Sequence, residues 1–354
     1  MKSRSLQSKL FFAYISLACL ILFSFAVFFY AFVSRQLKQS QISAMNTLNS
    51  SFQTQVDSAI RNLDAVSVNI NYSNQSKTIL DNSFNLNISS NMLSAMSDLF
   101  ISLSGTELKA DQVNLYDFSG YVLEAGISTM VKKTDGSKDE WIEAARELEG
   151  KKVLTPPYCT REYTKSATYD QWFISLYRSF NNQYKRGVGV IETAKQCKSV
   201  FKSIITYKKK NHEDAASVYV FDSNGDLIYP YDISQEYKAA LQPYYELTKV
   251  DDSALTLTSP LTGRTEYAAE CVSAYTGYTY LTIQPESVVL APVYNLLRIL
   301  AAIVALFLTV SIFISYRLSR SVVRPVKHLK HIIQRMELDL SLIHISEPTR
   351  PLYI

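Results

Sequence analysis

The chain has 354 residues, and its 36 Lys and Arg against 32 Asp and Glu give a net charge of only +4. So small a charge argues against nucleic acid as a partner. The sequence also lacks a zinc-binding spacing, a phosphate-binding glycine loop and a nucleophile elbow, and four cysteines are too few for a disulfide-stapled fold. The cysteines are Cys19, Cys159, Cys197 and Cys271.

Two charge-free apolar runs, residues 10–33 and 299–316, enclose a long polar segment. Each run is long enough to cross the hydrocarbon layer of about 30 Å as a helix. We assign the spans to residues 10–33 and 294–316, with residues 34–293 outside the membrane. A cleaved secretory signal is the alternative for the first run, but its apolar core would be shorter and would end at a small-residue cleavage site.

Basic residues flank both runs on the side away from the polar segment. They are Lys2, Arg4 and Lys9 at one end, and Arg317, Arg320, Arg324, Lys327 and Lys330 at the other. The positive-inside rule therefore places residues 1–9 and the segment after residue 316 in the cytoplasm, with the lipid bilayer between them and the polar segment.

Residues 34–72 contain neither Gly nor Pro and carry apolar residues in steps of three and four, which predicts a long helix. The apolar positions are Met45, Leu48, Phe52, Val56, Ala59, Leu63, Val66 and Ile70. Two interpretations are open, and both can hold along one helix: the helix packs on its own domain, or it forms a rod that pairs with the same helix of a partner subunit. Residues 73–102 are more polar and predict further helix and loop.

Two β-hairpins with Asp/Gly turns follow, and they predict a tandem α+β fold. The first joins residues 113–116 to 121–123, and the second joins 217–221 to 227–229. Further strands are expected over residues 172–180, 187–193, 265–274 and 278–284, with a basic helix or linker at 201–213. The recurrence predicts two modules of similar fold, a distal one at about 73–200 and a proximal one at about 214–285.

This order of elements resembles an extracytoplasmic double Cache sensor, which consists of two PAS-like α/β modules. The segment after the second span resembles the opening of a HAMP linker over residues 317–339, with Arg324 and Pro325 followed by an apolar repeat at Val326, Leu329, Ile333 and Met336. Over residues 1–339 the chain is similar to the sensor half of the YesM-type histidine kinases of Gram-positive bacteria. That resemblance implies a homodimer, signal transmission through these HAMP residues and a cognate response regulator.

The catalytic parts of that family are absent from the sequence. No phosphoacceptor segment or nucleotide-binding box is found, and neither His328 nor His344 is placed as a phosphoacceptor. We therefore expect no cofactor in this chain, with ATP and Mg²⁺ needed only by a kinase module beyond it, and whether the chain is an enzyme stays open. Residues 340–354 resemble a translated sequencing adapter, so we expect them to replace the natural continuation of a truncated receptor.

The resemblance implies a ligand site in the distal module. The candidate residues are Tyr169, Asp170, Trp172, Tyr177, Arg178 and Glu192. Amine- and amino-acid-binding members of the family carry an Arg where this chain has Asp170, and an Asp near the position of Glu192. Because the Arg is missing here, we expect a sugar or another neutral solute rather than an amino acid. The alternative is that Trp172 and Tyr177 belong to an ordinary sheet core, because neighbouring strand residues face opposite sides.

Three functions are weighed. The first is a sensor of an extracytoplasmic small molecule with a histidine kinase output in a two-component system. The second is the same sensor attached to a chemoreceptor, a cyclic-dinucleotide synthase or a membrane-bound transcription regulator. The third is an extracytoplasmic enzyme or adhesin, for which the sequence offers no catalytic or metal motif.

Overall fold

A computed structural model describes residues 6–81, 90–105, 108–161, 171–181, 187–211, 216–248 and 256–343. The helices are α1 (Leu6–Tyr72), α2 (Asn74–Asp81), α3 (Ser90–Ser104), α4 (Asp139–Glu147), α5 (Cys197–Val200), α6 (Lys202–Asn211), α7 (Gln235–Thr248) and α8 (Glu286–Ile343). The strands are β1 (Gln112–Asp117), β2 (Tyr121–Gly126), β3 (Met130–Lys133), β4 (Val153–Leu154), β5 (Tyr158–Thr160), β6 (Gln171–Asn181), β7 (Gly187–Gln196), β8 (Ser217–Phe221), β9 (Leu227–Tyr229), β10 (Thr256–Thr258), β11 (Thr265–Val272) and β12 (Thr279–Pro285).

The chain divides into two compact units. One is Ser40–Val288, which holds both sheets, and the other comprises the described parts of Met1–Gln39 and Val289–Ile354. The second unit contains the apolar parts of the two longest helices. Stretches of 18 residues within Phe12–Tyr72 and Glu286–Arg317 reach mean hydropathies of 2.4 and 2.6, and neither is buried within the protein. These exposed apolar helices are consistent with a protein that crosses the membrane twice.

The HAMP-like segment continues α8 without a break. Arg324, Pro325, Val326, Leu329, Ile333 and Met336 all lie within this helix, and the side chains of Pro325 and Ile333 are exposed. Most of the adapter-like segment, residues 344–354, lies outside the described residues.

The distal module is a seven-stranded antiparallel sheet. Its strand order is β3-β2-β1-β7-β6-β4, with β5 also paired to β6. The predicted first hairpin forms β1 and β2, and the predicted strands at 172–180 and 187–193 form the adjacent pair β6 and β7. Both of these longest strands lie inside the sheet, and the shorter β3, β4 and β5 lie at its edges.

The proximal module is a five-stranded antiparallel sheet in the order β10-β11-β12-β8-β9. Its hairpin β8–β9 repeats the turn chemistry of β1–β2. Asp117 accepts hydrogen bonds from the backbone N–H groups of Ser119 and Tyr121, and Asp222 does the same for Asn224 and Asp226. The Asp side chain replaces a backbone partner in each turn, which explains why the two turns were recognisable in the sequence.

The apolar stripe of α1 is buried in the core of its own domain. Phe52, Val56, Leu63 and Ile70 are at most 3% exposed. They share one apolar cluster with Leu115, Ile174, Leu176 and Ile191 of the distal sheet and with Val218, Val220 and Tyr280 of the proximal sheet. The interpretation that this stripe packs on its own domain is therefore confirmed, and the core needs these side chains.

Gly189 lies at a close approach between β7 and β1, where a side chain does not fit. A Cβ atom at this position would stand 2.2 Å from the backbone oxygen of Tyr116. We expect Gly189→Ala to lower the free energy of unfolding by about 2 kcal/mol, because the sheet backbone must shift to admit the methyl group. Urea unfolding of the full chain in detergent micelles measures the change.

Gly187→Ala in the same strand is the matched control. The nearest atom to its Cβ would be Oδ1 of Asn181 at 3.9 Å, which is an ordinary contact. We expect its effect to stay within about 0.5 kcal/mol. Equal losses in the two variants would contradict the proposed clash.

Candidate functional site

The alternation of β6 divides the predicted site residues between two faces of the distal sheet. Ile174, Leu176 and Phe180 join the cluster formed with α1, and Trp172 packs against the same cluster. Tyr177 belongs instead to a separate cluster on the other face, together with Tyr116 and Val190, beneath α4. Tyr169 and Asp170 lie outside the described residues. The structure therefore brings Tyr177 and Glu192 to one face and places Trp172 with Arg178 on the opposite one.

Glu192 of β7 is the centre of a polar cluster on the α4 face, and its side chain is fully buried. Its Oε2 atom accepts hydrogen bonds from Nδ2 of Asn114 at 2.7 Å and from the hydroxyl of Tyr116 at 2.6 Å. Its Oε1 atom accepts bonds from the hydroxyls of Ser175 at 2.7 Å and Tyr158 at 3.0 Å. A buried carboxylate with this many donors is held in one position.

A lysine completes this cluster, which we call the Glu192 site. Nζ of Lys138 lies 3.3 Å from Oε2 of Glu192, and the lysine side chain is only 10% exposed. Lys138 occupies the position just before the first turn of α4, where its side chain makes no capping hydrogen bond. The buried charge of Glu192 therefore has an opposite charge beside it, as a buried ion requires.

The environment keeps Glu192 ionised. Burial raises the pKa of its carboxyl group, but Lys138 and the hydrogen bonds from Ser175, Tyr116 and Asn114 outweigh burial and lower the pKa to about 2. Burial, followed by the charge of Glu192, raises the pKa of the Tyr116 phenol well above its ordinary value. At neutral pH the Glu192 site thus contains a carboxylate beside the neutral phenol of Tyr116.

Aromatic rings surround the charged pair. The ring centroid of Trp141 on α4 lies 5.3 Å from that of Tyr158 and 5.9 Å from that of Tyr177, and Tyr116 lies 6.3 Å from Tyr177. Nζ of Lys138 lies 5.8 Å from the ring centroid of Tyr158. A carboxylate beside aromatic faces is the environment in which proteins hold organic cations.

A small cavity of about 20 Å³ opens next to the Glu192 site. Its lining residues are Tyr116, Val122, Glu124, Lys132, Thr134, Asp135, Gly136, Lys138, Asp139 and Ile142. Such a volume holds about one water molecule. In this conformation the site is filled by the side chains of the protein.

Several residues of the Glu192 site were missed from the sequence: Asn114, Tyr116, Lys138, Trp141, Tyr158 and Ser175. One signal was available for the two residues of β1. Asn114 and Tyr116 are polar groups that alternate with the apolar Val113 and Leu115 along the strand, so both face the same side as Glu192. No local sequence pattern indicates a role for Lys138, which reaches the site from a loop.

Arg178 joins a second cluster, at the junction of α1 with both modules. Its guanidinium group bonds the carboxylate of Asp64, the hydroxyl of Ser67 at 3.0 Å from Nε, and the backbone oxygen of Gly150. The other oxygen of Asp64 accepts a hydrogen bond from the hydroxyl of Tyr275 in the proximal module at 2.6 Å. Arg178 therefore links the distal sheet to α1, and Asp64 links α1 to the proximal module.

Within the part of the chain that the structure describes, no group of three or more His, Cys, Asp or Glu residues could hold a metal ion. The four cysteines are free, with Cys197 buried and Cys159 exposed.

No protein-family model matches the chain, and no curated protein matches its sequence. Solved structures match its fold. The sensory domain of the Campylobacter jejuni chemoreceptor Tlp3 is 13% identical, with 73% of this chain and 99% of that chain covered and a TM-score of 0.50. The periplasmic sensory domain of the chemoreceptor Tlp1 from the same organism is also 13% identical, with 72% and 99% covered and a TM-score of 0.50.

The ligand-binding domain of the Pseudomonas fluorescens chemoreceptor CtaA, solved with L-leucine, is 13% identical over 72% of this chain and 99% of that chain, with a TM-score of 0.47. At such low identity the matches to Tlp3 and Tlp1 show the fold alone. The predicted α+β fold, a Cache-like module between two long apolar helices, is confirmed.

Proposed function

We propose that this chain is a transmembrane sensor whose distal module binds a small extracytoplasmic molecule at the Glu192 site. The observation that carries the proposal is a fully buried, ionised carboxylate among aromatic rings next to a cavity. The fold does not need this buried charge for its stability, because apolar side chains of the same volume would stabilise the core equally well or better. Sensory domains of the same fold, in Tlp3 and Tlp1, support the proposal.

The basic flanks of the two apolar runs support the orientation. Both termini lie in the cytoplasm in this proposal, and Ser40–Val288 lies outside. A ligand outside the cell then changes an output inside it only by preferring one of two receptor conformations.

For the output, we propose a HAMP linker at residues 317–339 followed by a histidine kinase module, acting as a homodimer on a response regulator. The support is the sequence pattern from Arg324 to Met336, which lies within α8. A chemoreceptor output is the second candidate, because the solved domains of this fold named above come from chemoreceptors.

The ligand of the Glu192 site must present hydrogen-bond donors to the carboxylate. A neutral sugar, as the sequence predicts, would supply hydroxyl groups as these donors. The prediction rests on Asp170, which is not among the described residues.

A ligand screen tests the proposed function. The full chain in lipid nanodiscs is heated with sugars, amines, amino acids and organic acids, and the unfolding temperature is measured. We expect a compound that raises this temperature and whose affinity falls about tenfold in Tyr158→Phe, because the hydroxyl that bonds Glu192 is worth about 1.4 kcal/mol.

The matched control is Trp172→Phe, an aromatic replacement on the opposite face of the sheet. We expect the same compound to bind this variant as it binds the unchanged chain. A screen without any stabilising compound, or one whose hit is lost in Trp172→Phe and kept in Tyr158→Phe, would contradict the assigned site.

A further inference from the structure

A cleft of about 500 Å³ lies in the proximal module, which does not contain the Glu192 site. Its walls are the turn between β10 and β11 at residues 262–265, Glu266 at the start of β11, and residues 285–287 where β12 ends and α8 begins. Small-molecule sites in proteins have volumes of this order. The cleft can therefore hold an organic group, whereas the 20 Å³ cavity of the distal module cannot.

Two carboxylates lie at the same end of the proximal sheet and line this cleft. Glu266 of β11 is paired in register with Pro285 of β12, and Glu286 follows directly. Oε2 of Glu266 accepts a hydrogen bond from the hydroxyl of Tyr244 at 2.8 Å. Oε1 of Glu286 accepts one from the hydroxyl of Tyr267 at 2.7 Å. Each tyrosine therefore holds one oxygen of a carboxylate in place.

The second oxygen of each carboxylate is available to a ligand. Among the residues that the structure describes, no group donates a hydrogen bond to Oε1 of Glu266 or to Oε2 of Glu286, and no Lys or Arg forms an ion pair with either side chain. Glu266 is nevertheless only 8% exposed. A carboxylate buried to this extent normally has several donors or an opposite charge beside it. A ligand with a cationic donor would supply what Glu266 lacks.

A positive charge lies on the rim of the same cleft. The backbone of the turn is fixed by two hydrogen bonds, from Ser259 N–H to the oxygen of Arg264 at 2.8 Å and from Gly263 N–H to the oxygen of Ser259 at 2.9 Å. The Arg264 side chain is exposed, and its guanidinium group pairs with none of the described residues. Guanidinium groups bind phosphate through paired N–H donors. The cleft thus combines one group suited to an anion with two suited to a cation.

The cleft is also close, along the chain, to the predicted second membrane span. Glu286 and Tyr294, where that span is predicted to start, belong to the single helix α8. The eight residues between them measure about 12 Å as a helix. The headgroup layer on each side of the hydrocarbon is about 5 to 7 Å thick. Glu286 is therefore within about 12 Å of the hydrocarbon edge, which places the cleft within reach of lipid headgroups.

We propose that this cleft of the proximal module binds a phosphoethanolamine group, with the ammonium at Glu266 and Glu286 and the phosphate at Arg264. A group with opposite charges at its two ends matches the charges of the cleft. An anionic headgroup would place its only charge among two carboxylates. The short distance to the predicted span favours phosphatidylethanolamine as the source over a free solute. Because Glu286 begins α8, the bound group would hold the first turn of α8 at the end of the proximal sheet.

Lipid binding to the full chain in dodecyl maltoside micelles tests the proposal. Native mass spectrometry measures the affinities for phosphatidylethanolamine and for phosphatidylglycerol, which carries the phosphate without an ammonium group. We expect phosphatidylethanolamine to bind about tenfold more tightly, the usual effect of one charge-assisted hydrogen bond. In Glu266→Gln/Glu286→Gln this preference should disappear, because the amides carry no charge. Arg264→Met should weaken the binding of both lipids, since both present a phosphate.

Matched controls separate the cleft from the surface charge of the module. Glu236→Gln removes an exposed acid of α7 and should leave both affinities unchanged. N-acetyl-phosphatidylethanolamine has the same headgroup without the positive charge and should bind no better than phosphatidylglycerol. Glycerophosphoethanolamine, the headgroup without acyl chains, separates the two sources. A lipid ligand should bind more tightly than this soluble compound, and a solute ligand should bind equally well in both forms.

Equal affinities for phosphatidylethanolamine and phosphatidylglycerol in the unchanged chain would overturn the proposal. A preference for phosphatidylethanolamine that persists in Glu266→Gln/Glu286→Gln would do the same. Displacement of phosphatidylethanolamine by calcium chloride would assign the carboxylates to a metal ion and would also contradict it. If Glu266→Gln does not fold, Glu286→Gln and Arg264→Met carry the test, because both side chains are more accessible than Glu266.

Discussion

Glu192→Gln is expected to lower the free energy of unfolding of the full chain by about 3 to 5 kcal/mol, the usual loss when one partner of a buried ion pair is removed. The amide leaves the ammonium group of Lys138 without its counter-charge in a site where the lysine is only 10% exposed. The substitution also replaces one carboxylate oxygen, which accepts hydrogen bonds, with an amide NH₂ group, which only donates them. The four neighbouring groups that donate to Glu192 are then left with one accepting oxygen. Urea unfolding in detergent micelles measures the loss.

The pH dependence of the Glu192→Gln effect follows from the pKa of Glu192. Its folded-state pKa of about 2 lies below the ordinary value of 4.5, so the carboxylate stabilises the fold at pH values above 4.5. This contribution, about 3 kcal/mol, is lost as the pH falls from 4.5 toward 2. The difference in stability between the unchanged chain and Glu192→Gln should therefore shrink over that range.

Glu143→Gln on α4 is the control for Glu192→Gln. Glu143 pairs with Arg146 at 3.4 Å, but their side chains are 62% and 56% exposed. An exposed pair of this kind contributes less than about 1 kcal/mol. A loss in Glu192→Gln no larger than in Glu143→Gln would show that the buried carboxylate is not held as the structure indicates.

Arg178→Met is expected to lower the free energy of unfolding by about 3 kcal/mol. The Arg178 side chain is 12% exposed, and its guanidinium group donates hydrogen bonds to Asp64, Ser67 and the backbone oxygen of Gly150, none of which a methionine can replace. Charge-assisted bonds that are partly shielded from water are among the stronger polar contacts in proteins. Arg178→Lys should recover about half of the loss, because an ammonium group keeps the positive charge but lacks the planar arrangement of donors of the guanidinium group. Urea unfolding measures both variants.

Arg146→Met is the matched control for Arg178→Met, because it also removes an arginine from the distal module. Arg146 contacts Glu143 and lies 4.7 Å from the ring centroid of Phe118, with its side chain 56% exposed. We expect a loss below about 1 kcal/mol. Similar losses in Arg146→Met and Arg178→Met would contradict a structural role for the Arg178 cluster.

The elements that the sequence predicted well have strong local causes. The two Asp/Gly hairpins carry their own turn chemistry, and α1 has a long apolar repeat without Gly or Pro. The helices α4 and α7 were not predicted: α4 has only nine residues and α7 contains Pro243, which argues against a helix. Strands β3, β4, β5 and β10, of two to four residues, are too short to show alternation.

The candidate site was only partly predictable, for a topological reason. Glu192 and Tyr177 were identified and lie on one face, whereas Trp172 and Arg178 face α1. The partners of Glu192 come from β1, β5, β6 and the loop before α4, between 17 and 78 residues away along the chain. The pairing of β7 with β1 and β6, and of β5 with β6, brings the strand residues together. The pairings of β1 with β7 and of β5 with β6 could not be recognised from the sequence.

The shared core along α1 bears on how chimeric proteins that contain this domain should be built. Side chains of one helix, from Phe52 to Ile70, fill the interior of both sheets, so neither sheet has a finished hydrophobic lining without that helix. Transplanting the distal sheet alone would leave exposed apolar surface on both the donor protein and the recipient protein. A graft that carries the whole of Ser40–Val288 keeps every one of these contacts inside a single transplanted piece.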